Sequence, residues 1–153
     1  MKKLFFLTAL TIGSFFIQSA DAQLRINIRA NIGSQPVWEP SGYDYASYYY
    51  LPDIDVFYNV SRRQYVYQQQ GRWIFSASLP MRYRSYNLYT GYKVVVNEAR
   101  PYRNAAMYRN KYAPYKNQHS QENIRNSRDQ KYYQIKGHPE HNNWNKNRKK
   151  RRG

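Results

Sequence analysis

Residues 48–80, YYYLPDIDVFYNVSRRQYVYQQQGRWIFSASLP, decide the fold. Ile54, Val56, Tyr58 and Val60 alternate with Asp55, Phe57 and Asn59, the period-two pattern of a strand with one packed face. Ser61, Arg62 and Arg63 make a turn, and residues 65–69 return as a second strand with Tyr65 and Tyr67 on one side and Val66 on the other. Gln70-Gly71 supplies a tight turn, since Gly admits positive φ at little cost. Residues 72–78 form a third strand carrying Trp73 and Phe75 on one face, stopped by Leu79-Pro80. The expectation is a three-stranded antiparallel meander.

A meander this small is marginal without a packed face or an accessory element. Residues 81–100 are the expected supplier, with a turn or one helical turn at 87–92 (NLYTGY) and a fourth strand at 93–97 (KVVVN). Val94, Val95 and Val96 have no polar break, so both faces of that strand should be covered. Upstream, 34–42 carries two prolines and a glycine and reads as a connector whose Trp38 docks on the sheet, while QLRINIRANI at 23–32 alternates like a further strand. Downstream, Tyr-Arg-Asn recurs at 102 and 108, residues 120–133 could form a short helix capped by Ser120, and the chain beyond Gly137 is expected to be disordered.

The first 22 residues have the pattern of a secretory signal peptide: Lys2 and Lys3, an apolar run over 4–17, then the small-residue site Ala20-Asp21-Ala22. The run is shorter than the ~20 apolar residues that a membrane span requires. The expected product is therefore exported, to the periplasm or cell surface, and not transmembrane after cleavage. With no Cys in the chain, neither a disulfide framework nor a thiolate metal site is available. Eighteen Tyr supply the apolar burial that sparse Leu, Ile and Val do not.

Charge divides the chain. Residues 23–100 hold nine Lys or Arg against five Asp or Glu, a balance of +4, whereas 101–153 hold fourteen against three, a balance of +11. The whole chain carries +16. The expected organisation is a signal peptide at 1–22, a small antiparallel β domain at 23–100, a Tyr/Arg/Asn-rich extension at 101–136, partly helical or irregular, and a disordered basic tail at 137–153.

The runs YYYLPDIDVFYNV, QYVYQQQGRW and SLP, with YNLYTGYKVVVNEARPY beyond them, resemble those of small, signal-peptide-bearing, Tyr-rich proteins of Bacteroidetes-type bacteria. The resemblance covers residues 38–102. It implies an exported envelope protein with a small β domain and a variable polar tail, and it carries no catalytic or ligand residues to transfer. The meander is also similar to a WW domain, but Trp73 and Pro80 lie too far apart and no leading Trp precedes the first strand closely.

The chemistry-bearing residues are few. Asp53 and Asp55 would project to one side of an extended segment, and the simplest reading puts both on its solvent face. His138-Pro-Glu-His141 offers three potential metal ligands in four residues, but Pro139 bars an ordinary helical face and no Cys assists. No nucleophile elbow, phosphate loop or zinc-protease motif occurs, so no catalytic set and no cofactor are expected.

The basic tail is the clearest feature. Lys146, Arg148, Lys149, Lys150, Arg151 and Arg152 place six cations in seven positions behind Trp144, a composition suited to a polyanion. These seven are the candidate anionic-polymer-binding residues, and Tyr48, Tyr49 and Tyr50 the candidate partner-contact residues. The functional expectation is a non-enzymatic envelope protein. Its β domain would contact a protein or glycan, and its tail would bind anionic envelope polymer or lipid head groups. The alternative is an extracellular or surface nucleic-acid binder in which the tail meets phosphates and exposed Tyr rings stack on bases.

Overall fold

The computed structural model describes residues 30–151. The signal-peptide segment 1–22, most of the 23–32 strand and Arg152 lie outside the described residues. Of that strand only the end is described, and there Ile32–Ser34 forms a single 3-10 turn.

The sheet is antiparallel and has five strands: β1 (Tyr48–Leu51), β2 (Val56–Asn59), β3 (Gln64–Gln69), β4 (Arg72–Ser76) and β5 (Val94–Val96), in the order β4-β3-β2-β1-β5. The expected meander is β2 to β4, and the expected fourth strand is β5. The sheet is larger than expected because β1, the Tyr run, is a strand in its own right. It pairs with β2 through Tyr49 opposite Tyr58 and with β5 through Tyr49 opposite Val95.

Period two deals the side chains to two faces. Tyr49, Leu51, Val56, Tyr58, Tyr65 and Tyr67 share one core, covered by Trp38, Leu79, Tyr83, Tyr86 and Leu88. Tyr50, Phe57, Val66 and Val96 share the other, covered by Tyr102, Ala105, Tyr108 and Tyr112. The expectation that β2 has one packed face is therefore corrected, since all four of its residues are buried. Trp38 docks as expected, its ring edge-on to Tyr58 at 5.0 Å and to Tyr49 at 6.2 Å. The covering of the second face is a short helix, α1 (Ala105–Lys111), which the Tyr-Arg-Asn repeat did not announce. Seven residues are too few for a helix to persist unaided. Tyr108 holds it down, edge-on to Phe57 at 5.3 Å and tilted against Tyr50 at 5.6 Å. Such aromatic pairs add about 1 kcal/mol each beyond the area they bury.

Turn chemistry sets the register. Gln70 and Gly71 both take positive φ, 50° and 74°, the two-residue geometry that matches strand twist in a hairpin. Asn59 Oδ1 accepts from the Arg62 amide at 2.9 Å and from the Ser61 hydroxyl at 3.0 Å, closing the β2-β3 connection. Asp53 and Asp55 lie in the β1-β2 turn, not on a strand face. The Asp53 carboxylate accepts from the Tyr86 hydroxyl at 2.7 Å and the Asn117 amide at 2.8 Å. That of Asp55 accepts from the Tyr50 hydroxyl at 3.0 Å and from Arg109 Nη2 at 2.6 Å. One carboxylate ties down a loop on the first face, and the other ties α1 to the second.

The C-terminal third wraps back onto the segment before β1. Ile124 N–H donates to Glu39 O at 2.8 Å, Arg125 N–H to Val37 O at 2.9 Å, and the Gly42 amide to the Tyr132 hydroxyl at 2.6 Å. Ile124, Tyr132 and Ile135 close a third small core against Ile32 and Val37. The helix expected over 120–133 is replaced by two single 3-10 turns, Ile124–Asn126 and Gln130–Tyr132. The reason is local: the Asn123 and Asp129 side chains each accept a nearby backbone N–H and so stabilise a turn against a continuous helix. The expectation of disorder beyond Gly137 is also corrected, because α2 (His141–Lys150) occupies most of that tail.

Candidate functional site

The chain reaches α2 through a fixed corner. Gly137 turns at φ 101°, a region a side chain rarely adopts. His138 is buried against Tyr133, with ring centroids 4.9 Å apart. Its Nδ1 accepts from the Glu140 amide at 3.1 Å, so Nε2 carries the proton and donates to Ser127 O at 3.2 Å. Both ring nitrogens of His138 are thus engaged within the chain. His141 Nδ1 donates to Tyr133 O at 3.0 Å, which ties the first turn of α2 to the body. Among the described residues no group of three or more His, Cys, Asp or Glu comes together.

α2 carries five of the seven sequence-predicted cationic and aromatic residues as exposed or half-exposed helix positions: Trp144, Lys146, Arg148, Lys149 and Lys150. Arg151 follows as its C-cap. At 100° per residue, Lys146, Lys149 and Lys150 share an arc pointing away from the body, whereas Arg148 and Arg151 fall on the side of Trp144. The Arg148 guanidinium lies 5.1 Å from the Trp144 ring, and His141 stacks on that ring at 6.0 Å. A groove of about 330 Å³ runs between this side of α2 and Tyr133. The ion pairs among the described residues join Arg109 to Asp55 and Lys131 to Asp44 and Asp129, and none uses a cation of α2. Four solvated cations on one short helix, with Arg151 at its C-cap, form a local field attractive to anions.

The Tyr residues are placed otherwise than the contact reading required. Tyr49 and Tyr50 are fully buried, one on each face of the sheet, and Tyr48 is half-buried against Tyr102. The run has no polar break because β1 is central and covered on both sides, so these rings form core instead of surface. The exposed large apolar groups are elsewhere: Tyr43, Phe75 on β4, Met81, Met107 on α1 and Tyr115. β4 is an edge strand, and beside it Tyr67, Gln68, Gln69, Pro80, Met81 and Arg82 line a groove of about 320 Å³.

A second cluster had no sequence signal. Glu39, in the connector before β1, is fully buried between Trp38 and Pro40, with neither carboxyl oxygen closing a hydrogen bond. The Tyr49 hydroxyl lies beside it, also without a bond of good geometry, and Gln35 Oε1 is a further buried unpartnered acceptor. Burial pushes the Glu39 carboxyl up to about 9, an effect that the Tyr49 hydroxyl and the Lys93 ammonium only partly oppose. Burial, and then the Glu39 charge, holds the Tyr49 hydroxyl far above the usual phenol range. Lys93 is buried too, with Nζ donating to Gly91 O at 2.6 Å, and burial brings it down to about 8 against the pull of Glu39 and Asp53. Near neutral pH this carboxyl is protonated and closed off from solvent. Its weight falls on stability, and α2 remains the site that can meet a ligand.

No helix among the described residues is long and apolar enough to cross a membrane. The chain matches no protein-family profile, no curated protein and no solved structure.

Proposed function

We propose that this is a non-enzymatic, exported cell-envelope protein whose C-terminal helix binds an anionic envelope surface and whose sheet contacts a protein or glycan. The observation that carries the reading is α2 itself: four cations presented on an ordered helix and a fifth at its C-cap, unpaired with any carboxylate of the described residues, and fixed to the body by His138 and His141. An anchored helix loses less entropy on docking than a disordered tail would. The signal-like N-terminus and the resemblance to small envelope proteins support export. For the sheet, the outer edge of β4, which pairs with no other strand among the described residues, and exposed Phe75 and Met81 support a contact surface, because an open edge can accept a further strand.

Nucleic-acid binding ranks second. The cations of α2 would serve phosphates equally well, but Tyr49 and Tyr50 are buried, Trp144 is flanked by His141 and Arg148, and the exposed rings Tyr43, Phe75 and Tyr115 belong to other segments than α2. Envelope fractionation of cells producing the chain with and without residues 142–153 tests the leading reading. Loss of membrane-associated protein on truncation is expected, and unchanged association would refute the tether.

A further inference from the structure

Resting on that reading, we infer that the groove between Tyr133 and α2 is a subsite for a phosphomonoester carried on a hydroxyl-bearing ring, such as a phosphorylated sugar head group. The cations of α2 are not equivalent. Lys146, Lys149 and Lys150 face outward and act at long range as point charges. Arg148 and Arg151 line the groove. Helical side chains lean toward the N-terminus, so Arg148 reaches back one turn over Trp144, its guanidinium carbon 5.1 Å from the ring centroid. Its in-plane N–H donors hold no protein acceptor among the described residues, an arrangement suited to bidentate capture of phosphate. A favourable interaction with the helix dipole explains cations in the last turn of α2, but it does not require an aromatic ring beneath one of them.

The opposite end of the same groove is different in chemistry. Glu140 Oε2 accepts from Asn143 Nδ2 at 3.0 Å, and both residues line the groove with Gln130. The carboxylate would repel a second phosphate, and together with the amides it would hydrogen-bond hydroxyl or amino groups. About 330 Å³ is at the small end of ligand sites, enough for one ring and its phosphate. Along α2 the lining runs from Glu140 and Asn143 at the N-terminal end to Arg148 and Arg151 at the C-terminal end, a charge gradient that selects a ligand whose own ends differ in the same sense.

The test measures equilibrium binding of the protein to phosphatidylcholine vesicles containing lipid A, to the same vesicles with the lipid A phosphates removed, and to single-stranded DNA as a phosphodiester control. Two variants separate the two ideas. The pair Arg148→Lys and Arg151→Lys keeps the charge but removes the fork, and should lower affinity for phosphorylated vesicles about tenfold while leaving DNA binding unchanged. The triple Lys146→Gln, Lys149→Gln, Lys150→Gln should weaken vesicle and DNA binding alike and flatten both salt dependences. Glucosamine 6-phosphate should displace the protein from phosphorylated vesicles at lower concentration than inorganic phosphate. Parental affinity in the Arg-to-Lys pair would overturn the subsite while leaving the tether intact. Equal competition by inorganic phosphate would overturn recognition of the ring. Parental binding by the Lys triple, with loss in the Arg pair, would uphold the subsite and refute the general tether.

Discussion

Replacing Glu39 by Gln keeps the size of the side chain and removes its ability to ionise in the interior. The folded chain holds the Glu39 proton up to about pH 9, whereas the unfolded chain releases it near the ordinary value of 4.5. The stability contribution of this group is therefore complete below pH 4.5 and declines as pH rises, because the unfolded state gains by ionising and the folded state does not. Each pH unit in that window removes about 1.4 kcal/mol. At pH 7 the loss is about 3 kcal/mol, a large share of the stability of a domain this size. Glu39→Gln should match the parent near pH 4 and exceed it by about 3 kcal/mol at pH 7, roughly 10 °C in Tm. Above pH 8 Lys93 acts with the opposite sign, since a lowered folded value makes its contribution rise with pH, so the clean window is 4.5 to 8. Urea melts at half-unit pH steps give the difference directly. A variant less stable than the parent at pH 7 would refute the reasoning, since it would mean that Glu39 is ionised in the fold and paired with Lys93.

Gly91 sits where an added Cβ would land on the Tyr86 hydroxyl that holds Asp53, so Gly91→Ala should cost about 2 to 4 kcal/mol. A thermal-melt double-mutant cycle with Tyr86→Ala should abolish most of that added cost. Tyr108→Ala should cost about 3 to 5 kcal/mol and release α1, seen as lost near-ultraviolet circular dichroism, because its ring is what joins α1 to Phe57 and Tyr50. Arg109→Ala removes a half-exposed pair with Asp55 and should cost no more than about 1 kcal/mol, shrinking further in high salt.

The meander was legible because alternation at Val56 and Tyr58 and the Gln70-Gly71 turn are local signals, each independent of what packs above. β1 was not, since Tyr48 to Tyr50 are three like residues in a row with no alternation to mark a strand, and they read equally as an exposed patch. The burial of Tyr49 and Tyr50 depends on α1 and on the connector around Trp38, contacts distant in sequence. α2 was masked by composition: Asn-rich, strongly basic residues argue against a helix, yet the His138 corner and the Trp144 stack organise it from outside the local pattern. The cationic residues of the site were visible in the sequence, while their division into an outward lysine arc and a groove-lining arginine pair needed the helix. Glu39 gave no signal at all, because nothing in VWEP distinguishes a buried carboxyl from a solvated one.

The most direct test of the central claim is equilibrium binding of the chain, with and without residues 142–153, to lipid-A-containing vesicles and to single-stranded DNA at low and high salt. Binding to vesicles should exceed binding to DNA, persist in part at high salt, and disappear with α2. Equal binding to both ligands, erased by salt, would contradict the claim and reduce the helix to nonspecific charge.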